Sequence, residues 1–320
     1  MNLQTQIPLK KEAYNPISYS SKIFLLGSCF SENIGEKLGY FKFQSSLNPF
    51  GILFHPKAIE TLITNAINEK QYTEKDIFFL NERWHCFEAH SSLSSSSKDE
   101  LLHLLNQQIN AVNKLLHQST HVIITLGTAW TYRFIESDTI VANCHKVPQK
   151  KFLKEILPVD AVTESLAAII VLIKSINAKA TVLFTVSPVR HLKDGFIENQ
   201  QSKSHLLAAI HHVIEARNNI HYFPSYEIVM DELRDYRFYK EDMIHPNKTA
   251  IDYIWEKFSN TWITEDAIKN MHEIATIQKG IHHTPFNPES IQHQQFLQGI
   301  QKRITQVKQQ YPFIKFDTFS

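Results

Sequence analysis

The sequence predicts an α/β protein with a mainly parallel sheet covered by helices on both faces. Three observations lead there. Short buried apolar runs, Lys22 to Leu26, His121 to Leu126 and Thr181 to Val186, alternate with stretches of helical periodicity. The 320 residues are 43% hydrophobic and 20% charged, enough apolar material for a sizeable core in one or two domains. Two of only eight glycines, Gly27 and Gly127, directly follow predicted strands, where a tight turn or a close backbone approach calls for them.

The elements follow in order. Lys22 to Leu26 ends at Gly27 and reads as a buried strand. Ser31 to Tyr40 reads as a helix with Ser31 as its N-cap. A second helix begins at Pro56, which suits a first helical position, and continues toward Lys70. Aromatic-rich Asp76 to Phe87 reads as a hairpin or irregular cover, and the serine cluster Ser91 to Ser97 as loop. Lys98 to His117 has helical periodicity, and His121 to Leu126 is the next strand. Thr131 to Cys144 alternates around Glu136-Ser137-Asp138, the pattern of a hairpin insertion. Val159 to Ile176 is an amphipathic helix, Thr181 to Val186 a third buried strand, and Ser202 to Arg217 a helix. Ile220 to Phe223 is a short strand, and Pro246 to Asn260 a closing helix. Beyond Trp262 the chain turns polar and glutamine-rich, with a helix from Glu289 to Gln310. Residues 1–262 therefore read as one α/β domain and 263–320 as a helical extension packed on its core.

Composition excludes several classes. A net charge of +1 with neutral histidines gives no electrostatic support for a nucleic-acid or anionic-membrane partner. Cys29, Cys86 and Cys144 are too few and scattered for a disulfide framework, and no CxxC pair supports structural zinc. Met1 to Tyr19 is polar with no signal-peptide apolar core, and the longest apolar run, Leu166 to Ile173, falls far short of a membrane span. The expectation is a reduced cytoplasmic protein with no cofactor; composition leaves its oligomeric state open. His85-Cys86, His90 and Cys144-His145 carry metal-ligand types in no zinc spacing, so no metal is assigned and His90 and His145 read as pocket-lining.

In open α/β sheets, ligands bind beyond the carboxyl ends of the strands. The first such end presents Gly27-Ser28-Cys29-Phe30 and leads into a helix. A thiol at a helix N-terminus has a lowered pKa, because the dipole and free N–H groups favour the thiolate. Position alone does not separate this from a buried structural cysteine. Asp242-Met243-Ile244-His245 precedes the last core helix, and its spacing lets Asp242 fix the His245 tautomer and free the other ring nitrogen as a general base. The polar segment Ser187 to Lys203, with Arg190, His191, Lys193, Asp194, Asn199 and Lys203, follows the third strand and reads as substrate contact or as solvated loop; Arg190 is its candidate anion clamp.

These motifs carry a resemblance. Leu26 to Ser31 resembles the GDSL block that opens SGNH hydrolases, and Asp242 to His245 their closing DxxH block. The chain more closely resembles the bacterial GSCFA domain family from roughly Ile23 to Trp262, including Ser187-Pro188-Val189-Arg190-His191 and Tyr222-Phe223-Pro224-Ser225-Tyr226-Glu227. The resemblance implies a flavodoxin-like three-layer α/β/α sandwich and an ester hydrolase acting on a small-molecule or carbohydrate ester. It places the nucleophile at Cys29, with Ser28 in the position of the aspartate and as a second candidate nucleophile. The SGNH oxyanion asparagine has no counterpart in Gly127-Thr128-Ala129-Trp130; Gly51 stands for the second-block glycine, with Asn48 or Thr128 as substitute donors. The expected reaction is acyl transfer through a thioester by Cys29, His245 and Asp242, with the N–H groups of Cys29 and Gly51 on the oxyanion. The alternatives are a sugar O-acyltransferase on the same site, a non-catalytic carbohydrate- or metabolite-binding protein on a degenerate scaffold, and a redox-sensing cysteine.

Overall fold

The computed structural model describes residues 5–316; the outermost residues of the polar N-terminal stretch and of the C-terminal extension lie outside them. Five strands form one parallel sheet in the order β10-β9-β5-β1-β2. They are β1 (Lys22–Gly27), β2 (Gln44–Leu47), β5 (His121–Leu126), β9 (Thr181–Val186) and β10 (Ile220–Tyr222). The pleat sorts their side chains onto two faces. Phe24, Leu26, Val122, Ile124, Val182 and Phe184 enter one core, against α2 (Pro56–Ile67), α3 (Lys98–Gln118), α4 (Val159–Ile176) and α5 (Phe196–Val213). Ile23, Leu25, Ile123 and Leu183 enter the other, against α1 (Cys29–Tyr40), α7 (Lys248–Trp262), α8 (Glu265–Ile281) and α9 (Ile291–Gln310). This is the three-layer α/β/α sandwich that the alternating strands and helices predict.

Two small antiparallel sheets decorate it. β3 (Phe78–Leu80) and β4 (Arg83–His85) pair as the predicted hairpin. β6 (Trp130–Phe134) pairs with β7 (Thr139–Val141) as the predicted insertion, and a third strand, β8 (Phe152–Ile156), pairs on its other side. Phe-Leu-Lys-Glu-Ile carries no clean alternation, so β8 was not expected from the sequence. Nor was β2, whose Gln-Ser-Ser-Leu is a half-buried edge strand held only by β1.

Several boundaries differ from expectation for identifiable reasons. The α1 N-cap is Ser28, not Ser31: Ser28 is extended and its Oγ accepts the Phe30 N–H, while Ser31 sits in the first turn with its Oγ 2.7 Å from Thr125 Oγ1. Helix α5 begins at Phe196, after Gly195 at φ +111, rather than at Ser202. The closing helix α7 is capped by Asn247, because Pro246 is occupied in a bridge to Tyr239. Helix α8 was not expected, and the short helix α6 (Ser225–Glu227) runs into a wider turn at Ile228–Glu232. No helix among the described residues is long and apolar enough to cross a membrane.

Candidate active site

The carboxyl ends of β1, β5 and β9 meet at the Gly27-Ser28-Cys29 turn. Gly27 lies at φ +129, and a Cβ there would run into the Thr125 carbonyl, so only glycine lets β1 turn this tightly beside β5. Ser28 is fully buried. Cys29, the next residue, is partly buried as the first residue of α1.

The helix N-terminus does not lower the Cys29 pKa as the sequence suggests. Burial pushes the thiol up, Glu32 one turn along adds to that, and Lys203, the residue's own N–H and Lys240 only partly oppose it. The resting side chain is a thiol and needs a base.

Asp242 and His245 form the pair their spacing predicts. Asp242 Oδ2 accepts from His245 Nδ1 at 2.7 Å, while Oδ1 accepts the Ile244 and His245 N–H groups at 2.9 and 3.0 Å. Those backbone N–H groups, with the imidazole behind them, hold the Asp242 carboxyl down at about 2. The bond at Nδ1 leaves Nε2 to accept a proton. Arg190 tethers this loop: its N–H reaches the Ile244 carbonyl at 3.4 Å and its Nη1 the Met243 carbonyl at 3.0 Å. Its guanidinium lies over the Tyr239 ring, 4.3 Å from the centroid, beside a cavity of about 410 Å³ shared with Gln200 and Tyr226.

His191 follows Arg190 and reaches back to the nucleophile turn. A Cβ on Gly127 would lie 3.0 Å from His191 Nε2 and 3.3 Å from Ser28 Cβ, so glycine at 127 makes room for both. The His191 Nε2 is buried without a hydrogen-bond partner. Burial, then the charges of Lys203 and His245, keep its ring neutral by lowering its pKa to about 3. Asn48 supplies a second orphan. Its Oδ1 accepts the Gly27 N–H at 2.9 Å, which fixes the amide orientation, and its Nδ2 is buried with no partner.

The other expected oxyanion donors are spent elsewhere. The Gly51 N–H closes a turn onto the Asn48 carbonyl at 2.7 Å. The Gly127 and Thr128 N–H groups both go to the Phe54 carbonyl, and Thr128 Oγ1 bonds Ser202 Oγ. Glycine at 51 serves packing instead, since a Cβ there would strike His90. His90, read as pocket-lining, caps the turn Ser91–Leu93 and is not among the residues facing the cavity that His145 lines. That cavity, about 450 Å³, is walled by the β6–β8 insertion; Phe54, Trp130, Tyr132, Cys144, His145 and His191 all face it. Among the described residues no three His, Cys, Asp or Glu side chains gather as a metal would require.

Sequence reasoning gave Lys203 no role beyond the polar segment. It is fully buried, and its Nζ donates to the carbonyls of Gly127 at 2.6 Å and Ser187 at 2.7 Å. The available signal was its place three and seven residues before Leu206 and Ile210, on the buried stripe of α5.

Two family models match the chain. Residues 22–258 match the model of the GSCFA family, and residues 274–318 that of the GSCFA domain protein C-terminal domain. No curated protein matches the chain. The first match covers both the Gly27-Ser28-Cys29 turn and the Asp242–His245 pair, and it spans well over half of the residues: the chain belongs to the GSCFA family.

Proposed function

We propose that this protein cleaves carboxylic esters by acyl transfer through Cys29. The observation that carries the reading is the oriented Asp242–His245 pair, held by Arg190, whose neighbour His191 lies against the turn that carries the partly buried Cys29 thiol. His245 Nε2 takes the Cys29 proton and Sγ bonds to the ester carbonyl carbon. The alcohol leaves with the proton returned by His245. Water, deprotonated by the same imidazole, then breaks the thioester and frees the acid and the thiol. Asn48 Nδ2, His191 Nε2 and the Cys29 N–H are the donors available to a tetrahedral oxyanion, in place of Gly51.

The two cavities bordering the Arg190-His191 segment favour a second outcome, in which a hydroxyl acceptor replaces water and the reaction is a transfer. Hydrolysis of short activated acyl esters, with intact-mass detection of the acyl adduct, tests the reading. Cys29→Ala and His245→Ala should each lose roughly a thousandfold or more in kcat/KM. Ser28→Ala should keep turnover and lose about 1 kcal/mol of stability with its helix cap. Unchanged turnover in Cys29→Ala overturns the thiol assignment. Added sugar alcohols that accelerate release of the acyl group would establish transfer.

A further inference from the structure

An ammonium group buried without a carboxylate is costly, and a fold keeps one only where something offsets the cost. Lys203 is such a group. It is fully buried, and among the described residues no ion pair involves it. Two of its three N–H bonds are used on the Gly127 and Ser187 carbonyls, which fixes Nζ between the ends of β5 and β9, against the nucleophile turn. We propose that Lys203 is the counter-charge of the Cys29 thiolate: its ammonium, clamped at the strand ends, stabilises the anion that forms when Cys29 gives up its proton.

This rests on the reading of Cys29 as nucleophile, but its test does not require ester turnover. The groups that face the pair are few. Glu32 opposes the Cys29 anion from α1 and Lys240 favours it; His191 lies against Lys203 and is neutral; His245 lies beyond His191; and the Tyr226 ring sits 6.0 Å from Nζ. Burial lowers Lys203 to about 7, and Cys29 pulls it back up. The two groups are therefore coupled: the ammonium favours the thiolate and the thiolate favours the ammonium, so the anion forms at lower pH with Lys203 in place than without it. Lys203 is in this sense a positioning residue, acting on the reaction through Cys29.

The experiment follows alkylation of Cys29 by iodoacetamide, read on the Cys29 peptide, as a function of pH. Burial pushes Cys86 and Cys144 up to about 12 and about 11, so neither contributes a neutral-range step. The native alkylation rate should rise with pH as the Cys29 thiolate forms. Lys203→Gln keeps an amide donor for the carbonyls without the charge, and Lys203→Met removes both. Both should move that rise to higher pH and react at least tenfold more slowly at about pH 7.5. Ser225→Ala, which breaks the Ser225 bonds to Thr185 and the Val186 carbonyl under the same strand end, should keep the native profile; that separates charge from packing. A folded Lys203→Gln chain with the native profile overturns the proposal. Absence of ester turnover in a native chain whose alkylation still depends on Lys203 would instead count against the acyl-transfer reading alone.

Discussion

Cys29 occupies the first position of α1, where the dipole and its own N–H favour the thiolate, yet burial and Glu32 outweigh them. The balance makes the base indispensable, and so it makes Asp242 testable. Asp242→Asn preserves the shape of the loop but withdraws the acceptor that holds the proton on His245 Nδ1. The expected loss in kcat/KM is about 10²- to 10⁴-fold, with little change in melting temperature because the pair is surface-placed. Since the folded carboxyl sits at about 2, below its usual 3.8, the orienting bond persists as the medium is acidified and is lost only as pH falls through about 2. A variant that keeps native kcat/KM would remove Asp242 from the mechanism. The Asp242–His245 spacing was legible in the sequence; the thiol's raised pKa was not, because burial is set by residues distant in the chain.

Helix α2 shows the same dependence on context at the scale of an element. Pro56 at its first position was readable, but the cap is His55, whose Nδ1 accepts the Ala58 N–H while Nε2–H donates to the Val141 carbonyl. That pair of bonds requires a neutral ring, and burial lowers the His55 pKa from 6.5 to about 4. The unfolded chain then binds the proton first as pH falls, so stability present above pH 6.5 is lost between 6.5 and about 4. The loss amounts to about 3 kcal/mol for this group. His55→Asn keeps a capping acceptor and cannot titrate, so its melting temperature should vary less across that range than the native chain's. Equal slopes for the two proteins would locate the acid sensitivity elsewhere. At the nucleophile turn, Gly127→Ala should displace His191 and Ser28 together, lowering both stability and Cys29 reactivity, since both groups occupy the space a Cβ needs.

Across the whole molecule, the C-terminal helices are part of the core and not an ornament on it. Ile274, Ile277, Ile300 and Ile304 share one buried cluster with Ile23 and Leu25 of β1. Ile274→Ala should therefore destabilise the protein by about 2–5 kcal/mol in denaturant unfolding, although Ile274 lies in none of the cavities at the site. Its kcat/KM at a temperature where it stays folded should match the native value. A variant with native stability would mean that α8 is dispensable to the sheet face it covers.

The sequence by itself determined the sandwich, because buried parallel strands such as His121–Leu126 and Thr181–Val186 are continuous apolar runs and their covering helices carry a one-sided stripe. It also located the Gly27-Ser28-Cys29 turn and the Asp242–His245 pair, whose chemistry is local in the chain. Tertiary structure alone decided what surrounds them. Edge strand β2 and strand β8 exist through their partners rather than their own patterns. Asn48, His191 and Lys203 take their roles from atoms 20 to more than 70 positions away: the Gly27 N–H, Gly127 and the Gly127 carbonyl. Periodicity reports which face a residue occupies, but desolvation and an unfilled hydrogen bond are properties of the neighbours that folding brings to it.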